Sequence, residues 1–232
     1  MKDRETSLAD KRKEAAAFLA RPRPRLDIWR ASGTAAAITS AKTGDLISGQ
    51  GIFLGLYEPT DGDGNSLGKI FNVYAAPQDL PDTMKYTDAV KYIASLKEWY
   101  GFEGTNYATD KEIYAALKDG SYTGGWIIPP YELLMGAKPD GGQGIREDRV
   151  TQPDNLFDHR NKGAFKGAFK TAAVNGAGFP VWYWSSTEHR DNPSCGHAVR
   201  LADGGEDWLS KDGYRFSCRP VRLVEASAPA SS

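Results

Sequence analysis

Apolar residues in this chain come in short runs, and that brevity constrains the fold more than any other feature. Ile52-Phe53-Leu54-Gly55-Leu56-Tyr57 and Ile70-Phe71-Asn72-Val73-Tyr74-Ala75 are rich in β-branched and aromatic residues and bounded by Gly, Asp and Pro, which predicts short strands. Ala35–Thr39, Val181–Ser185, His197–Leu201, Asp207–Ser210 and Arg219–Val224 read the same way. Every run falls far short of the roughly 18–20 apolar residues that a membrane-spanning helix needs, so no membrane insertion is expected. The chain has 25 Gly, 13 Pro, 6 Trp, 11 Tyr and 9 Phe, the composition of a loop-rich fold packed around large rings.

Helical signals are confined to a few places. Ser7-Leu8-Ala9-Asp10 has the form of a capping box and opens a charged helix to Ala20, which Arg21-Pro22-Arg23-Pro24-Arg25 ends as a stiff linker. The thin apolar face of that helix suggests a homo-oligomer or docking onto a larger assembly. Asp88 can cap Ala89–Tyr100, with Val90, Ile93, Ala94 and Lys97 along one face. Thr109-Asp110-Lys111-Glu112 is a capping box that starts a second helix, with Ile113, Ala116 and Leu117 at helical spacing and Gly120 as the stop. Trp126-Ile127-Ile128 then reads as a short buried strand, followed by a proline stop and one helical turn. Residues 136–180 read mostly as loop, with a short amphipathic piece around Phe165 and Phe169. Asp61-Gly62-Asp63-Gly64-Asn65 departs from a calcium loop at its sixth and twelfth positions and reads as a tight hairpin turn.

Charge and chemistry-bearing residues exclude more than they assign. Twenty-nine basic residues against 30 acidic ones argue against nucleic acid as the main partner. The first residues lead into no apolar core of a signal peptide, so none is expected. His189, Cys195, His197 and Cys218 match no zinc spacing, so neither a metal nor a cofactor is expected. Cys195 and His197 lack an orienting acid for nucleophilic catalysis. The two cysteines are read as unbridged thiols at variable surface positions, a disulfide being the alternative. Trp126, Trp182, Tyr183 and Trp184 offer rings for stacking, although alternation should send at least one side of that strand into the core.

Three segments, in order, are similar to one family. Gly125-Trp126-Ile127-Ile128-Pro129 with Glu132-Leu133-Leu134, then Tyr183-Trp184-Ser185-Ser186-Thr187-Glu188, then Cys218-Arg219-Pro220-Val221-Arg222 resemble the C-terminal domain of Legionella collagen-like proteins. Ile127, Ile128 and Pro130 depart from that family's usual Arg, Leu and Thr. The resemblance covers roughly Gly44 to Val224. It implies an α+β C-type lectin fold of the formylglycine-generating-enzyme type, with two helices on a twisted, mainly antiparallel sheet and long loops. Some members are variable proteins of diversity-generating retroelements, and the residue types between Glu188 and Cys218 are ones an asparagine codon reaches by changing its adenines. Gln152-Pro153-Asp154 is the calcium- and galactose-binding tripeptide of animal C-type lectins, without its companion Trp-Asn-Asp.

The resemblance implies a ligand-binding domain at 26–225, after the charged helix and linker at 1–25 and before a small-residue tail at 226–232. Its function would be recognition of a protein or glycan on a cell surface, from a phage tail or a cell-surface adhesin, without enzymatic chemistry. The expected contacts are His189, Arg190, Asp191, Asn192, His197, Arg200, Glu206, Trp208, Tyr214 and Arg215. The rival is an enzyme of the formylglycine-generating type or a metal-dependent relative, although no closely spaced cysteine pair is present to carry over that oxidase activity.

Overall fold

Alternation and one bulge build the larger sheet. Ile52 and Leu54 point the same way along β2 (Gly51–Tyr57), and the register against β3 (Phe71–Ala75) slips between Phe53 and Gly55. The slip reverses the parity of the strand, so Tyr57, rather than Leu56, reaches the core with Phe71 and Val73. Gly55 sits at φ 144°, and a Cβ there would fall on the side chain of Asp154. That glycine is therefore needed both for its backbone conformation and for the close approach.

In this computed structural model the described residues are 41–61, 65–136, 152, 154–170 and 181–226, within one compact unit, Ala41–Ala226. The fold is α+β with two antiparallel sheets. The first runs β1 (Leu46–Ile47), β2, β3 and β7 (Val221–Glu225); the second runs β4 (Tyr183–His189), β5 (Asn192–Val199) and β6 (Glu206–Ser210). The predicted strand at Ala35–Thr39, the N-terminal helix, the linker at 21–25 and the tail from 227 lie outside the described residues.

Two buried clusters hold the sheets and helices together. The first joins Ile52, Val73 and Leu223 of the larger sheet to Ile113 and Leu117 of α2 (Asp110–Asp119), to Leu133 of α3 (Tyr131–Met135) and to Tyr183. The second joins Tyr86, Ala89 and Ile93 of α1 (Tyr86–Ser95) to Trp126, Trp184 and Phe216. Tyr183 and Trp184 thus place β4 between the clusters, buried on both faces.

α2 forms as its capping box predicts: Thr109 accepts from the Glu112 N–H, Glu112 reaches back, and Gly120 closes the helix at φ 79°. α1 starts earlier and ends earlier than expected. Tyr86 is buried edge-on to Trp184, which makes it the first helical residue and removes Asp88 from the cap position. Trp99 and Phe102 bridge one another around a turn at Tyr100 and Gly101 and pack on Trp126, which draws the chain off the helix after Ser95. The segment read as loop contains α4 (Leu156–His159), with the side chain of Asn155 capping the Asp158 N–H, and a 3-10 turn at Gly163–Phe165. Phe165 and Phe169 stack in the first cluster at 5.9 Å.

Candidate ligand-binding face

The polar run of β4 is spent on holding the sheet. Ser185 Oγ donates to the His197 carbonyl, and Thr187 Oγ1 accepts the Tyr131 N–H from α3. Both are buried, so the run Ser185-Ser186-Thr187 is structural and the strand becomes accessible only at Glu188 and His189. Glu188 binds Lys211, whose ammonium lies 4.8 Å from the Tyr86 ring centroid. This contact fastens the chain leaving β6 to β4.

Beyond that anchor lies a row of rings. Tyr131 meets His197 edge-on at 4.2 Å, His197 meets Trp208 at 4.3 Å, and Trp208 meets His189 at 5.1 Å. The Tyr131 hydroxyl donates to Glu206, and its burial raises its pKa further above the ordinary phenol value. His197 Nε2 lies 4.0 Å from the same carboxylate. Burial pushes the imidazole pKa down to about 3, so His197 is neutral near pH 7 and the contact is not an ion pair.

His197 therefore departs from its expected place: it is 2% exposed and lies under the face, supporting Trp208, rather than on it. The cause is a tertiary partner, Tyr131, delivered by a helix far away in sequence. His189, Glu206 and Trp208 are half-buried around it, while Arg190, Asp191 and Asn192 are exposed on the β4–β5 turn. Asn192 is tied locally, accepting from Ser194 Oγ at 2.6 Å.

The remaining expected contacts lie on the opposite side of β4. Tyr214 is 48% exposed and stacks on Phe216 at 5.7 Å, Phe216 faces Trp182 at 5.9 Å, and Arg200 stands 5.1 Å over Trp182. Arg200 and Tyr214 thus end one aromatic ladder, with Arg215 exposed beside it. The ten residues form two groups, on the two sides of the β4–β5–β6 sheet, rather than one patch. Sequence reasoning missed Tyr131 and Phe216 as supports; neither carries a local signal, because each acts only through contacts distant in sequence.

Other candidates fall to packing. Trp126 is fully buried and donates its Nε1–H to the Trp99 carbonyl, so it is no stacking platform. Asp154 accepts the Leu56 N–H at 2.9 Å, and Gln152 donates to the Leu56 carbonyl, so these residues brace the bulge of β2; Pro153 is outside the described residues. Asp61 and Asn65 bond to each other across the expected turn, between the bridged Thr60 and Ser66. Both cysteines are free, but Cys218 is 1% exposed, which corrects the expectation of two surface thiols. Burial pushes the Cys218 thiol well above its ordinary pKa.

Among the described residues, no three His, Cys, Asp or Glu are grouped to hold a metal ion, and no helix is long and apolar enough to cross a membrane. Compared with known proteins, the chain matches no family model and no curated sequence.

Proposed function

We propose that the chain is a ligand-binding protein of C-type lectin fold, of the formylglycine-generating-enzyme type, that presents a variable C-terminal face for recognising a protein or glycan on a cell surface. The resemblance to the C-terminal domain of Legionella collagen-like proteins points to a variable protein of a diversity-generating retroelement, on a phage tail or a cell surface. The work is binding, without bond chemistry. Trp208 and Tyr214 supply rigid contact area, while Arg190, Asp191, Asn192 and Arg215 supply adaptable hydrogen bonds and charge.

One observation carries this reading. The exposed residues of the β4–β5 turn and the loop after β6 sit on strands whose inner side chains are buried to completion, from Tyr183 and Trp184 to Ala198 and Val199. Among them, Tyr214 alone is in ring contact with a core cluster, through Phe216; Arg190, Asp191, Asn192 and Arg215 are exposed and belong to neither cluster.

The test is a variant with Arg190, Asp191, Asn192, Tyr214 and Arg215 all changed to Ala, compared with the parent on an array of glycans and bacterial surface proteins. Loss of the array signal with unchanged circular dichroism and melting supports the reading; an unchanged array signal, or an unfolded variant, overturns it. Finding a reverse-transcriptase gene beside a near-repeat of the codons for Trp182–Arg222 in the neighbouring DNA would support the retroelement assignment.

A further inference from the structure

The two sheets have four edges, and three are closed or too short to pair. β4 is covered by Ser217, which accepts the Trp184 N–H, and by Pro129, which accepts the Ser186 N–H. β7 is covered by Ile127, bonded both ways to Val221, and by the Tyr122 hydroxyl, which accepts the Leu223 N–H. β1 is two residues long. The fourth edge belongs to β6, which pairs with β5 alone.

The register fixes which groups that edge presents. Arg200 donates to Gly205 and Lys211 donates to Ser194, which sets the hydrogen-bonded pairs of the β5–β6 ladder at both of its ends. Asp207 and Leu209 then bond to β5, and the N–H and C=O groups of Glu206, Trp208 and Ser210 point away from the sheet. Among the described residues this edge meets local partners only: Asp207 Oδ1 accepts the Trp208 N–H at 2.8 Å, and the Gly213 N–H reaches the Ser210 carbonyl at 3.3 Å.

Charge says what fits there. Arg190 lies 3.7 Å from Asp191, Arg200 lies 3.1 Å from Asp203, and Lys211 is bound to Glu188. Arg190, Arg200 and Lys211 thus each have an acid, whereas Glu206, beside a neutral His197, and Asp207, both on β6, have no charged partner among the described residues. A second copy of β6 paired about Trp208 would set Glu206 opposite Ser210 and Asp207 opposite Leu209, leaving both acids without a cation that a basic strand would supply.

We infer that β6 is a docking edge for an extended basic segment of a partner protein, which adds to the sheet as an antiparallel strand through the main-chain groups of Glu206, Trp208 and Ser210. Lys or Arg at alternate positions of that segment would stand opposite Glu206 and over the Trp208 ring, and its carbonyl would take the Trp208 N–H from the Asp207 carboxylate. The inference rests on reading this sheet as the ligand-bearing part of the chain, and adds to it a component of recognition that does not depend on which side chains are displayed.

The test uses the full chain, ¹⁵N-labelled, and the acetylated, amidated peptide Lys-Val-Arg-Val-Lys. The peptide should slow hydrogen exchange of the Glu206, Trp208 and Ser210 amides and leave those of Asp207 and Leu209 unchanged. N-methylation of its central Arg should weaken binding by about tenfold or more, since one main-chain hydrogen bond and its space are lost, whereas N-methylation of either Val should leave it within about twofold. Asp207→Lys should abolish binding in a folded chain. Equal binding of the N-methyl isomers, no protection of the three amides, equal binding of Glu-Val-Glu-Val-Glu, or protection of these amides by self-association alone overturns the inference. Equal isomers together with array binding lost in the five-residue variant would remove the docking edge and leave the display reading standing; three protected amides with array binding unchanged would do the reverse.

Discussion

Arg219 grips Asp79 in a buried ion pair, Nε to Oδ1 at 2.6 Å, while the Tyr183 hydroxyl donates to the other carboxylate oxygen at 2.9 Å. The guanidinium also donates to the Ala76 and Ala168 carbonyls, so one side chain ties the Ala76–Asp79 and Ala168 segments to the root of β4. Burial raises the Asp79 pKa even against the pull of Arg219. Asp79→Ala should therefore cost about 3–5 kcal/mol, because it strands a buried cation. The double variant Asp79→Leu with Arg219→Met should recover part of that loss in urea denaturation.

His197 makes stability depend on pH. Its folded pKa, about 3, lies below the ordinary 6.5, so on acidification the unfolded chain takes up a proton that the native chain refuses. Nothing is lost above pH 6.5; below it this group removes stability at up to about 1.4 kcal/mol per pH unit, until native His197 itself titrates near pH 3. Urea midpoints at pH 7 and pH 5 should differ more for the parent than for His197→Phe. Equal differences would mean that the imidazole is not held neutral.

The two thiols should separate in reactivity. Cys195 is half-exposed and should react promptly with a disulfide reagent in the native chain, while Cys218 should react only on unfolding. Cys195→Ser should leave the melting temperature within a degree or so, whereas Cys218→Ser should cost roughly 1–3 kcal/mol by burying a hydroxyl among apolar neighbours.

Gly55→Val combines two penalties, a backbone at φ 144° and a Cβ that meets the Asp154 side chain. It should destabilise by more than about 2 kcal/mol in chemical denaturation, and Asp154→Gly should relieve the steric part only.

Local chemistry was legible in the sequence and distant contacts were not. Thr109, Glu112 and Gly120 announce α2 because caps act within four residues of themselves. Asn155 and Asp158 carry the same kind of signal for α4, but a single turn between glycine-rich stretches lacks the periodicity that draws attention to it. Composition locates the β4–β5–β6 strands but not their extent: β4 is expected at Val181–Ser185 and runs Tyr183–His189, and β5 is expected at His197–Leu201 and runs Asn192–Val199. Only the register shows that Glu206, Trp208 and Ser210 face outward along the edge. His197 is expected on the surface because it falls among the polar residue types between Glu188 and Cys218; Tyr131, which buries it, belongs to a helix that pairing rules do not connect to β5.

The pairing of β3 with β7 has a consequence for synthesis. Val73 of β3 lies opposite Leu223 of β7, so the middle of the larger sheet waits for residues that leave the ribosome long after it. During that interval Phe71–Ala75 offers a bare, apolar edge, and the second cluster lacks Trp184 and Phe216. A chain stopped short of Val221 is therefore no smaller domain but an exposed strand seeking any neighbour, and its fate is chaperone capture or aggregation. A shifted reading frame or a stop codon between β4 and β7 therefore forfeits the larger sheet along with the segment it falls in.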